Sequence, residues 1–77
     1  MVLTVRMLIA LPWIHFEGYS SRHTLRYNLA VHMYEIDEGL WISTSYAGKR
    51  SKNTEDSREK AMTAADERLV GEGWYLL

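Results

Sequence analysis

The chain has no cysteine, one proline and no run of apolar residues long enough to cross a bilayer. Without cysteine, disulfides and thiolate metal sites are excluded. A domain of 77 residues buries only roughly 60% of its extended surface. It must therefore hold itself together by a well-packed core or by a second copy of itself. The missing thiols also suit a reducing cytoplasm, where the chain is expected to reside. The single proline, Pro12, ends an apolar opening segment in which Arg6 is the only charge. A membrane span needs about 20 apolar residues before such a break. Arg6 lies inside the segment and no small-x-small site follows, which argues against a secretion signal. The segment reads instead as a buried strand.

A large excess of charge is also missing. Nine basic and ten acidic residues leave a net charge of −1, neither a nucleic-acid footprint nor the acidic surface of a DNA mimic. The charge is unevenly placed: residues 1–34 carry a net +2 and residues 35–77 a net −3. An apolar content of 47% and a charged content of 25% are ordinary for a globular chain, so residues 1–77 are expected to form one domain.

Periodicity supplies the elements. Val2 to Leu11 reads as a strand that is apolar on both faces, and Trp13 to Glu17 as a short second strand. Gly18 to His23 is polar and reads as a loop. Leu25, Tyr27, Leu29, Val31 and Met33 alternate with Arg26, Asn28, Ala30, His32 and Tyr34, the pattern of a half-buried strand. A turn at Asp37-Glu38-Gly39 leads to a return strand over Leu40 to Ala47. A two-residue turn at Glu38-Gly39 sets Asp37 opposite Leu40 and turns Leu40, Ile42 and Tyr46 inward. The alternative register buries Ser43 and Ser45 and is disfavoured. Gly48 to Thr54 reads as a basic loop. A helix then starts near Asp56 or Ser57, with Glu59 completing a capping-box-like pair. Ala61, Ala64, Ala65 and Leu69 form its narrow apolar stripe, Gly71 is its stop, and Trp74 to Leu77 fold back on the core. The expected class is α+β: a three- to four-stranded antiparallel sheet with one C-terminal helix packed on one face.

No chemistry is legible. His15, His23 and His32 lack ligand spacing, so no metal site is expected. The six serines sit in no nucleophile elbow. The chain has neither a phosphate-cradling glycine loop nor a dinucleotide fingerprint, so no cofactor and no catalytic residue are assigned. A single helix covers one sheet face. In the expected register Arg26, His32, Tyr34, Ile36 and Trp41 lie on the other, and tyrosine, tryptophan and arginine are the usual anchors of protein interfaces. These five are the candidate contacts for a protein partner or for a homodimer with His32 near the seam. A weaker alternative is nucleic-acid binding by Arg22, Arg26, Lys49, Arg50 and Lys52, whose few charges give a shallow salt dependence.

The pattern of Leu11-Pro12-Trp13, an alternating hairpin with Trp41 in its return strand, then Ser57, Glu59, Ala61, Ala65, Asp66 and Leu69 resembles the small strand-strand-strand-helix proteins of phages and prophages. The resemblance covers roughly residues 11–74. Some small phage proteins of this size are inhibitors of host defence, including anti-CRISPR proteins, which bind a surface of their target complex. It implies a non-enzymatic accessory protein acting in the host cytoplasm by protein–protein binding. The double-stranded-RNA-binding fold also ends in a hairpin and a helix. Arg58, Glu59 and Met62 stand where its three lysines would be, so that likeness extends to topology only.

Overall fold

The computed structural model describes residues 8–46 and 51–77. Among these the elements in chain order are β1 (Ile9–Ala10), β2 (Ile14–Phe16), β3 (Tyr19–His23), β4 (Leu29–Asp37), β5 (Leu40–Ser45), β6 (Ser51–Glu55), α1 (Arg58–Gly71) and β7 (Tyr75–Leu76). Strands β2 to β6 form one antiparallel sheet in sequence order, and β1 pairs with β7 in parallel as a separate two-stranded ribbon. The α+β class holds, with five strands in the main sheet. The extra strands come from β3 and β6, both of which read as polar loops in sequence. Of the expected first strand, residues 1–7 lie outside the described residues, as do residues 47–50 of the expected basic loop.

Several of the polar groups that β3 buries find partners, although Arg22 Nε and His23 Nδ1 have none among the described residues. The Ser20 hydroxyl is 2.8 Å from His15 Nδ1. The Arg22 guanidinium donates to Asp66 at 3.2 Å and to the Leu77 backbone oxygen at 2.7 Å. A buried polar group with a partner costs little in a sheet, whereas one without costs more, as the Ser43 and Ser45 hydroxyls do in β5, buried without a partner among the described residues. β4 begins at Leu29 rather than Leu25, because a turn with Tyr27 in the left-handed region (φ 63°) precedes it. Leu25 and Tyr27 are therefore exposed rather than inward.

The β4–β5 hairpin decides which side chains meet the helix. Asp37 pairs with Leu40 as the turn chemistry predicts, but the register then shifts by one between Asp37 and Glu35. Ile36 is the extra residue of this bulge. Below it Glu35 faces Trp41, Met33 faces Ser43 and Val31 faces Ser45. A tight two-residue hairpin turn of the favoured twist needs a left-handed angle at its first position, with or without one at the second. Here only Gly39 has one, φ 75°, and Glu38 does not. The Asp37 carboxylate accepts from Glu38 N at 2.8 Å and Glu35 from Gly39 N at 2.9 Å, which holds the wider connection. The one-residue slip moves Trp41, Ser43 and Ser45 to the helix side, the register disfavoured on polarity. Ser43 and Ser45 are fully buried on that side, and Trp41 packs with Met33 and Ala61.

Gly39→Ala is therefore expected to destabilise the fold by about 1 kcal/mol through the left-handed backbone alone. Its new Cβ would meet nothing nearer than the Asp56 carbonyl at 4.0 Å. The drop in thermal midpoint, roughly 4–8 °C, is read by circular dichroism.

α1 starts at Ser57, whose hydroxyl accepts from Lys60 N at 3.1 Å. Asp56, just before it, pairs with Lys60 at 2.9 Å, and that ammonium holds its carboxyl below the usual range. The small stabilisation is present above the ordinary aspartate pKa and is lost as pH falls through the depressed value. The helix closes past Gly71: Gly73 N donates to Val70 O and Trp74 N to Leu69 O, with Gly73 at φ 92°, the paired bonds of a left-handed helix stop. Ala61, Ala65 and Leu69 are buried. Ala65 and Leu69 pack with Ala10 and Val31, flanked by Trp74 and Leu76, and Ala61 packs with Met33 and Trp41, flanked by Met62. Trp13 touches both groups, so both buried clusters lie between the helix and one face of the sheet.

Candidate binding face

The strand pairings fix which residues share the face away from the helix. Tyr19 pairs with Tyr34 and Tyr34 with Ile42; Ser21 pairs with His32 and His32 with Thr44; Ile14 pairs with Ser21 and Phe16 with Tyr19. His32 is the hub of this surface. Its ring meets Tyr19, Tyr34 and Tyr46 edge-on at centroid distances of 6.0, 5.8 and 5.3 Å. The Tyr46 hydroxyl lies 3.1 Å from His32 Nε2. Edge-to-face aromatic pairs are each worth about 0.5–1.5 kcal/mol, so the rings hold one another in place, and among the described residues no helix lies over them. Phe16 extends it at the β2 edge, 6.2 Å from Tyr19. Phe16 is 58% exposed and Tyr34 38%; Ile14 and Tyr46 are exposed as well.

Of the five expected contacts, His32 and Tyr34 lie on this face, paired across the sheet to Ser21 and Thr44 and to Tyr19 and Ile42. Ile36 is exposed at the bulge, and Arg26 is exposed in the turn before β4 rather than within a strand. Trp41 is not there. It is 5% exposed, packed with Met33 and Ala61, with the Arg58 guanidinium 4.4 Å above its ring. The bulge at Ile36 is the physical reason. Tyr19, Tyr46 and Phe16 take its place. Tyr46 was expected inward and Tyr19 in a loop. For Tyr46 the signal is the left-handed preference of a lone glycine in the hairpin turn, which sets the β4–β5 register; Tyr19 is placed by its pairing with Tyr34 in β4, for which the polar β3 segment carries no periodic signal.

Among the cations proposed for nucleic acid, Arg22 is withdrawn. Its side chain is 4% exposed and held by Asp66, with its guanidinium 5.6 Å from the Trp13 ring. Asp66 also accepts from Trp13 Nε1 at 3.1 Å. Arg26 and Lys52 are exposed, and Lys49 and Arg50 lie outside the described residues.

The three histidines stand apart. His15 pairs with Ser20 on the helix side and stacks on Trp13 at 6.4 Å, His23 lies beside Tyr27, and His32 faces the opposite way. The His15–Ser20 contact has the spacing of a base and a nucleophile. Ser20, however, is fully buried, opposite Met33 in the sheet centre, so its hydroxyl meets no substrate. The bond satisfies a buried group.

No protein-family model, no curated protein sequence and no solved structure matches the chain.

Proposed function

We propose that the chain is a non-enzymatic accessory protein that binds another protein through the open face of its sheet, in the manner of small phage inhibitors that occlude a surface of a host complex such as a defence nuclease. One observation carries the contact part of this reading: a preformed cluster of Tyr19, His32, Tyr34 and Tyr46 lies on the face opposite the helix, with Phe16 and Ile14 exposed beside it. Rigid aromatic side chains give large contact area at small entropic cost and dominate binding energy. Contiguous exposed patches of this kind mark interaction sites. The phage and host-defence part rests on the strand-strand-strand-helix resemblance alone, and the expected place of action is the host cytoplasm.

Placing a photoreactive phenylalanine analogue at Tyr34 and, separately, at Val70 on the exposed side of α1 tests the contact in living cells. The Tyr34 position is expected to give a protein adduct of discrete mass, which Phe16→Ser in the same chain weakens. Val70 is expected to give none. Equal adducts from both positions, or none from Tyr34, overturn the reading.

A further inference from the structure

We infer that the open sheet face meets the same face of a second copy of the chain, with the strands of the two sheets running in opposite directions. This rests on one part of the reading above, that the face is a contact surface; a second copy seated there competes with any other protein for the same residues, so a foreign partner would have to displace it.

The first ground is the order of charge along the face. Between its turns the face carries no carboxylate: its strand residues are apolar, aromatic or hydroxylic, with Lys52 on β6 the one permanent charge among the described residues. The two ends differ. At one end the β2–β3 and β4–β5 turns bring Glu17, Asp37 and Glu38, all exposed and without an ion-pair partner among the described residues, while Glu35, paired with Trp41, belongs to the helix side. At the other end the turn before β4 carries exposed Arg26, and described residues 23–30 hold no acid. A two-fold axis lying across the strands sets the acidic end of each copy over the Arg26 end of the other. An axis along the strands sets acid on acid, which costs energy. A polyphosphate lying on the same face would run into the carboxylates at one end, and the charge order disfavours it.

The second ground is area. Five strands about 4.8 Å apart, each offering about five residues of 3.4 Å rise, span roughly 400 Å² in projection. With side-chain relief this approaches roughly 600 Å² of accessible surface per copy, or about 1,200 Å² for the pair, the lower bound of a stable interface. Such a two-fold contact is self-complementary by construction. Two aromatic faces packed as a sandwich, about 10 Å apart, also match the usual packing of twisted sheets.

Sedimentation equilibrium of the purified chain from about 1 µM to about 1 mM tests this, the range in which an interface at the lower size limit dissociates. The mass is expected to rise from 9.0 kDa towards twice that value. Tyr34→Glu should weaken the dimer at least tenfold, while Val70→Lys leaves it unchanged, with the fold of each variant checked by circular dichroism. Arg26→Glu should weaken it, and adding Glu38→Lys in the same chain should recover most of the loss. A monomer at all concentrations, with the Tyr34 photo-adduct still forming to a protein of another mass, overturns the dimer and leaves the contact face standing. A monomer with no adduct overturns both. A dimer insensitive to Tyr34→Glu uses another surface and overturns the inference. A dimer sensitive to Tyr34→Glu but not rescued by the charge exchange overturns the antiparallel arrangement. Binding of a fluorescent single-stranded oligonucleotide that Tyr34→Glu abolishes, in place of dimerisation, puts nucleic acid on the face instead.

Discussion

Trp41→Ala is expected to remove most of the stability of the fold. The indole is 5% exposed between Met33, Ala61 and Trp13, with Arg58 against its ring. Truncating a buried tryptophan costs about 3–5 kcal/mol, because the lost transfer energy adds to that of a cavity the neighbours cannot fill. Fixed backbone flanks this site: the bulge at Ile36 on one side and the first turn of α1 on the other. Collapse around the void is therefore limited. A chain of this length has a total stability of roughly 4–12 kcal/mol by the usual amount per residue. The thermal midpoint should fall by tens of degrees at roughly 4–8 °C per kcal/mol. Trp41→Phe, which keeps an aromatic ring in the space, should recover about half the loss. A Trp41→Ala variant within a few degrees of the parent would mean that the ring lies on the surface and that the hairpin has no bulge.

Asp66→Ala has the second largest expected effect. Its carboxylate accepts at once from Arg22 and from the Trp13 indole. Arg22 is buried, its Nε already lacks a partner, and without Asp66 its remaining bond is to the Leu77 backbone oxygen. Breaking one side of a buried ion pair costs about 3–5 kcal/mol. The lower end applies because the Asp66 side chain is 31% exposed and water can partly replace it. Urea unfolding should show a lower midpoint at unchanged slope. The sign of the next step separates a paired charge from simple packing. Arg22→Met added to Asp66→Ala should be more stable than Asp66→Ala alone, since it removes the orphaned guanidinium. If the second substitution lowers stability further, Arg22 contributes through its contacts with Trp13 and not through its charge.

These two sites show what was readable in the chain and what was not. The helix was legible because its signals are local: a start near Asp56 or Ser57, of which Ser57 and not the expected Asp56 is the cap, and small or aliphatic residues at helical spacing, Ala61, Ala65 and Leu69. Val31 and Met33 were legible as inward residues because strict alternation in a half-buried strand leaves one assignment. The end of the chain, Trp74 and Leu76, was legible as a cover for the core from its apolarity. β3 was not. Tyr-Ser-Ser-Arg-His carries no apolar alternation, and its burial depends on His15 and Asp66, the latter 44 residues away. The inward face of β5 was missed for a different reason. Polarity favours burying Leu40 and Ile42 over Ser43 and Ser45, but backbone angle sets the register: Glu38 stays out of the left-handed region, Gly39 enters it, and every side chain beyond the turn changes sides. His32 and Tyr34 were placed correctly from β4, and the aromatic residues beside them were Tyr19, Phe16 and Tyr46 instead of Trp41.

The order of the strands has a kinetic consequence. Every pairing in the five-stranded sheet joins neighbours along the chain, so the sheet can zip through short loops at small entropic cost. The contacts of β1 with β7 and of Arg22 with Asp66 bring remote segments together and are expected to form late, because their loop-closure cost is larger. Lesions in the β4–β5 turn should then slow refolding. Lesions at Asp66 or Tyr75 should leave the refolding rate nearly unchanged and hasten unfolding, so the lifetime of the native molecule is set by the clasp between its two ends.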